Sequence, residues 1–217
     1  MLSIVVNIFF LFSNFQLKKF RIMDPVNILV LIALVMFTAA NYSGSKSSLK
    51  SKVSAVAKRA SGWEQTVPPN ILALSSLLQF FGVFPLVNSW FLLPEPGQPL
   101  RIVFFLLFVL FSWLQLKSFK SLGTNYSTEI LLFKDHKLVE NGIYSFIRHP
   151  QYLSQLLADL FAGLAILSSP VVFLTLLISL PLLILRGKRE EEMLSATFRE
   201  AWSSYKKRTG FFIPFVG

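Results

Sequence analysis

The residues able to do chemistry in this chain fall into two groups. The first lies in the stretch 123–152, GTNYSTEILLFKDHKLVENGIYSFIRHPQY, which holds both histidines of the sequence, His136 and His149, with Arg148 next to the second. The second follows Leu185 and reads RGKREEEMLSATFREAWSSYKKRTGFFIPFVG, with Arg186, Arg189 and the run Glu190-Glu191-Glu192 at its start. Arginine suits a carboxylate, and glutamate can pair with a cation or take a proton. Other chemistries are missing. The chain has no cysteine, so there is no disulfide, thiolate zinc site or thiol nucleophile. Two histidines without cysteine make a poor metal site, and no metal is expected. No GxSxG, HExxH, P-loop or dinucleotide GxGxxG pattern occurs.

The elements that must bring the two groups together are a pair of apolar stretches, 152–168 and 171–185, separated only by Ser168-Ser169-Pro170. So short a link makes an antiparallel helical hairpin. If its turn centres near Ser169, Arg148 falls level with Glu190 and His149 with Arg189, to within a helical turn. An Arg-His pair and an acidic cluster then share one mouth. Charges at that depth are costly unless they pair or serve a substrate. An Arg148 ion pair with Glu190 or Glu191 is the plain structural alternative. Pro150 fits the first turn of the helix that follows it, whose amides would face the mouth. Asn141-Gly142 marks a turn.

Composition sets the surroundings. Of 217 residues, 53% are apolar and 23 are Phe, while 15% are charged, against about 25% in soluble domains. The mean hydropathy is +0.59. A water-soluble fold could not hide that surface, so the expected class is an all-α, multi-pass transmembrane bundle. A span needs about 20 apolar residues. Five stretches qualify once flanking polar residues snorkel: 26–42, 71–93 with a kink at Pro85, 100–116, 152–168 and 171–185. The apolar stretch 1–22 is expected as an extra or interfacial N-terminal helix, with Met23 as an alternative start. Residues 23–114 would be N-terminal spans and 115–217 the site-bearing region.

The net charge of +10 could hint at nucleic acid. In so apolar a chain it fits basic cytoplasmic loops on anionic headgroups better, and no nucleic-acid partner is expected. With the first span starting outside, every Lys and Arg among the 21 falls inside except Arg101, Lys18, Lys19 and Arg21. The C-terminus is then cytoplasmic. There Leu194, Phe198, Ala201, Trp202 and Tyr205 share one helical face, the pattern of an amphipathic surface helix. Asp159, within a span, could be a functional acid or a bond to a neighbouring helix.

Over about residues 115–217 the sequence resembles the isoprenylcysteine carboxyl methyltransferase and phospholipid methyltransferase family of membrane enzymes. The family pattern is roughly H-x-L-V-x-x-G-x-Y-x-x-x-R-H-P-x-Y, then R-E-E-x-x-L-x-x-x-F-G-x-x-Y-x-x-Y. It is met here at His136, Leu138, Val139, Gly142, Tyr144, Arg148, His149, Pro150 and Tyr152, then at Arg189, Glu190, Glu191, Leu194, Phe198 and Tyr205. Departures are Ser154 for a Gly, Arg199 for the Gly of the Phe-Gly pair, Trp202 for a Tyr, and Thr209-Gly210 for Val-Pro.

The resemblance implies S-adenosyl-L-methionine as cofactor. Its site would be His136, the backbone at Leu138 and Val139, Tyr144, His149, Pro150, Tyr152, and Glu190 or Glu191. The substrate would be a lipid or prenylated molecule entering from the bilayer. A carboxylate acceptor needs a cation to orient it, for which Arg186 and Arg189 are the expected residues, with Arg148 at the mouth. An amine acceptor, as in phospholipid N-methylation, needs a base such as Glu191. Also open are an NADPH-dependent sterol or steroid reductase, whose tail carries a similar Arg-His-Pro-x-Tyr segment, and a lipid-binding protein without turnover. The membrane would be the endoplasmic reticulum in a eukaryote and the inner or plasma membrane in a prokaryote. The oligomeric state is not legible.

Overall fold

The computed structural model describes residues 24–50, 56–84 and 93–216. The N-terminal helix expected over 1–22 and the kink at Pro85 lie outside the described residues. The described elements are α1 (Pro25–Lys50), β1 (Val56–Arg59), α2 (Val67–Gly82), α3 (Gln98–Leu122), β2 (Leu131–Phe133), α4 (Pro150–Ala165), α5 (Ser169–Phe173) and α6 (Leu180–Arg208). A π-helical stretch, Leu174–Ser179, joins α5 to α6. Pro181 accounts for it: a proline has no N–H for the carbonyl four residues back and its ring crowds that carbonyl, so the turn before it widens.

The core forms where α1, α3 and α4 meet, around Val26, Val30, Phe108, Ala158, Ala162 and Ile166. Phe161 stacks on Phe111, with ring centroids 5.7 Å apart, and on Phe104 at 6.2 Å. The hairpin stands as expected. Its arms close tightly because Gly163 faces Val171, where an added Cβ would lie 2.8 Å from a valine methyl. Between α2, α3 and α4 runs a buried polar connection. Asp159 accepts from Gln79 at 2.8 Å and Gln155 at 2.9 Å, and Gln115 donates to Gln155. Asp159 therefore bonds to a neighbouring helix, the bland alternative read from its position.

Among the described residues, two helical runs have the length and apolarity of a span: Gln98–Leu122 and Ser169–Arg208. Of the five expected spans, the two at 100–116 and 171–185 meet that measure among the described residues. Helix α4 has 16 residues, about 24 Å, and α2 also has 16, where the hydrocarbon core is about 30 Å. The apolar part of α1, Pro25–Asn41, is shorter than a span as well. The outer faces are apolar nonetheless: Met36, Leu106, Trp113 and Leu177 are half-exposed or more. That is a surface for lipid rather than water, and the protein is membrane-associated.

Two features depart from a purely helical reading. β1 and β2 pair antiparallel, with Arg59 opposite Leu131 and a bulge between Val56 and Lys58. The tail is also not one helix. Arg199, at φ 44° and ψ −107°, breaks α6 into an arm up to Phe198 and a short helix after it. That backbone conformation favours glycine, and the family pattern has Gly at this position.

Candidate functional site

Pro150 opens α4 in its first turn, and the preceding His149 caps the helix without a side-chain bond to it. The turn expected at Asn141-Gly142 is present, with Gly142 at φ 61° leading into a single 3-10 turn, Gly142–Ser145. These two structures aim Tyr144, Arg148 and His149 at the end of the hairpin where the acidic run of α6 begins.

The hairpin register holds to within about one residue. Arg148 Nε donates to Glu191 Oε1 at 2.6 Å, and its terminal nitrogen reaches the carbonyls of Lys206, at 3.3 Å, and Thr209. This is the ion-pair clasp that the sequence offered as the plain alternative. The ring of His149 lies between two carboxylates, with Nε2 3.3 Å from Glu191 and Nδ1 3.7 Å from Glu190. It stacks on Tyr152 with ring planes 5° apart and centroids 5.6 Å apart. The Tyr152 hydroxyl donates to Glu190 and accepts from Arg186 Nε at 2.8 Å. Lys206 Nζ completes the ring of charge at 3.3 Å from Glu191.

Burial would raise the carboxyl of Glu191. The bonds from His149 and Arg148 and their positive charge outweigh that and hold it at about 2. Burial and the charge of Glu190 push the Tyr144 phenol well above its usual value, so it stays a protonated donor. The hydroxyl of Tyr205 donates to the Tyr144 carbonyl at 2.8 Å.

A cavity opens against this cluster. His136, Leu138, Val139, Tyr144, Arg148, His149, Tyr152 and Glu190 line it, so residues from both halves of the sequence pattern converge on one space. Pro150 is buried behind it at the helix start, and Glu191 is turned into the Arg148 clasp. Arg186 does not line the cavity. Its guanidinium binds Tyr152 and the carbonyls of Glu64, Gln65 and Thr128, at 2.7 to 3.3 Å. It reaches the cavity through Tyr152 and through Glu190, whose carboxylate lies 3.7 Å from its Nε. Arg189 is not brought in at all; it sits exposed and pairs with Glu192 on its own helix.

Sequence reasoning missed several wall residues. Asn125 exchanges two bonds with the backbone of Lys137, both 3.1 Å, and so pins the segment bearing Leu138 and Val139. Gln151 also lines the cavity, as do Trp202 and Tyr205, which were read as part of an amphipathic face and of the motif's second half but not as site residues. The ribbon forms a further wall: Leu131 and Leu132 of β2 line the cavity. β2 is held from the first loop by β1, by Gln65 accepting the Ile130 amide at 2.8 Å, and by an Arg59–Glu129 pair at 3.1 Å. Nothing in the sequence signals that pairing, because the strands are three and four residues long.

Comparison with known proteins bears on the same region. No curated protein matches this chain. Among solved structures, it is similar to the eukaryotic intramembrane Ras methyltransferase ICMT (isoprenylcysteine carboxyl methyltransferase), determined without a monobody. The TM-score is 0.50 at 22% identity, covering 70% of this chain and 53% of that one. The likeness is one of fold, and this chain spans about half the length of that structure. The profile of the isoprenylcysteine carboxyl methyltransferase (ICMT) family matches residues 103–196, from α3 through the acidic run to the kinked arm of α6. The stretch that builds most of the cavity wall is thus the part of the chain that is similar to the isoprenylcysteine carboxyl methyltransferase family.

Proposed function

We propose that the protein is an integral membrane methyltransferase that uses S-adenosyl-L-methionine and acts on a lipid or prenylated substrate, through O-methylation of an isoprenylcysteine-type carboxylate. The observation that carries this reading is the convergence of His136, Tyr144, His149, Tyr152 and Glu190 on one cavity at the mouth of the hairpin.

The donor set fits the cofactor. Its ammonium calls for a carboxylate, and Glu190 borders the cavity. Its carboxylate calls for donors, and His149 with the uncapped start of α4 supplies them. Its adenine calls for an apolar and aromatic wall, which Leu138, Val139, Tyr144 and Trp202 provide. When bound, S-adenosylmethionine supplies an electrophilic methyl group. Tyr152 and Glu190, fixed by Arg186, orient what enters the cavity, and the β2 wall keeps water out.

The fate of Glu191 favours a carboxylate acceptor over an amine. An amine must lose a proton, and Glu191 is the base the sequence nominated. Held at about 2 and committed to Arg148, His149 and Lys206, it is a weak base. A carboxylate acceptor needs none. Arg148, Arg186 and Glu191 then act as positioning residues, and Arg189 stands at the exposed rim. The proposed topology is the five-span arrangement with a cytoplasmic C-terminus. In that division 23–114 are N-terminal spans and 115–217 is the site region.

Transfer of radiolabelled methyl from S-adenosylmethionine into a panel of prenylcysteines and aminophospholipids tests the proposal. Label in the prenylcysteine carboxyl ester, released by mild base, is expected. Label in base-stable aminophospholipid would shift the reading to N-methylation. Label in neither, together with binding of NADPH, would overturn it.

A further inference from the structure

The last described residues fold back over the start of α4. The Arg148 amide donates to the Gly210 carbonyl at 2.8 Å, the Gly210 amide to Phe146 at 3.1 Å, and the His149 amide to Phe211 at 3.3 Å. The segment then closes on itself, with the Phe211 amide bonded to the Val216 carbonyl at 2.8 Å. A Cβ on Gly210 would stand 1.7 Å from the Ile213 carbonyl oxygen, so this hook is tight. Phe212 anchors it from below, packed with Tyr152, Leu156 and Leu183.

The hook delivers one ring to the site. Phe211 lies 4.6 Å from the imidazole of His149, centroid to centroid. Helix α6 makes room for the pair by carrying Gly187 there. A Cβ at that position would approach the Phe211 ring to 2.7 Å and His149 Nε2 to 3.3 Å. The χ2 of histidine has a broad, two-fold profile, and with Nδ1 3.7 Å from Glu190, outside hydrogen-bond reach, the single bond at Nε2 leaves the ring plane weakly set. Packing must fix it.

We propose that the hook 210–216 is a built-in brace for the site, and that Phe211 is a positioning residue that sets the imidazole of His149 toward the cavity. The consequence for cofactor affinity rests on the function proposed above; the effect on the ring does not.

The test uses the full chain in nanodiscs with 13C-labelled histidine. The sequence has two histidines, so two imidazole Cε1 signals are expected, and His136→Gln assigns them. Phe211→Ala moves the His149 signal downfield by removing the ring current and leaves His136 in place, while Phe211→Tyr restores it. Gly187→Ala crowds both rings of the pair, its Cβ 2.7 Å from Phe211 and 3.3 Å from His149 Nε2, and serves if Phe211→Ala does not fold. In titrations with S-adenosylhomocysteine, Phe211→Ala weakens binding about tenfold, and the His149→Ala/Phe211→Ala double variant binds no more weakly than His149→Ala alone. An unmoved His149 signal in both Phe211→Ala and Gly187→Ala overturns the brace, as do strictly additive losses. If the wild type takes no S-adenosylhomocysteine while the imidazole still responds to Phe211, the cofactor reading fails and the brace stands.

Discussion

Helix α4 is held at both ends by buried arginines, and the two ends differ in how completely the clasp is closed. At the end near Ala165, Arg101 is 2% exposed. It donates to the Ala165 carbonyl at 3.0 Å, Asp24 at 2.8 Å, Asn27 at 2.9 Å and Glu95 at 3.5 Å. Asp24 also takes Gln98 and the Val26 amide, and Asn27 donates to the Val83 carbonyl. Four segments are thereby tied together, and their polar groups are spent on one another. At the other end Arg148 and Arg186 are buried as deeply, and they too are saturated by protein. Their partners are not. Glu190, Tyr152 and His149 each keep a face on the cavity. A buried arginine is therefore no sign of function in itself. The sign is what it leaves open: at the mouth, the arginines hold carboxylate and imidazole in place without consuming them.

The largest effects should come from breaking either clasp. Arg148→Met takes the shortest partner from the buried Glu191 and should lower stability by about 3–5 kcal/mol, and Arg101→Met, which unpairs the half-buried Asp24, Asn27 and the Ala165 carbonyl, should lower it by about 1–3 kcal/mol, both read from denaturation in detergent. The comparison sharpens at low temperature, where both variants are held folded. Arg101→Met should then bind S-adenosylhomocysteine as the wild type does, and Arg148→Met should not. Equal binding losses in both would erase the distinction between the ends.

A more selective change is Glu190→Gln. It removes the charge facing the cavity and keeps the shape. Affinity for the ammonium-bearing cofactor should fall about 10- to 100-fold, roughly 1.4–3 kcal/mol, by titration. The melting temperature should move little.

Acid should separate the clasps next. The Glu191 carboxyl is depressed from 4.5 to about 2 in the fold. The stability it contributes is thus fully present above pH 4.5 and is lost as pH falls toward 2. Glu191→Gln should remove that part of the acid sensitivity in a pH series of melts; an unchanged acid limb would contradict the clasp. The smallest effect expected is at the kink. Arg199→Gly relieves a positive φ in a non-glycine residue and should stabilise the protein by about 1 kcal/mol. A loss of stability there would mean that the arginine side chain has a role of its own.

The mouth was more legible in sequence than the walls around it. The hairpin could be read because Ser168-Ser169-Pro170 leaves no room for any other path, and with the turn known the level of Glu190 and Glu191 against Arg148 follows from helix rise alone. The choice between Glu190 and Glu191 for Arg148 could not be read, since it depends on helix rotation and on the carbonyls of Lys206 and Thr209. The break at Arg199 was masked by residue type: arginine does not announce a left-handed turn, although the family pattern has glycine there. The β1–β2 ribbon joins VAKR to LLF across α2 and α3, strands too short to show a period of two. Arg189 was counted toward the site from its place in the motif. Helix rotation turns it outward to Glu192 instead.

Isothermal titration of the wild-type protein and Glu190→Gln with S-adenosylhomocysteine, and of the wild type with NADPH, tests the central claim most directly. Saturable binding of S-adenosylhomocysteine by the wild type, at least tenfold weaker in Glu190→Gln and with no heat from NADPH, is the predicted result. Wild-type affinity retained in Glu190→Gln, or binding of NADPH alone, would contradict the account.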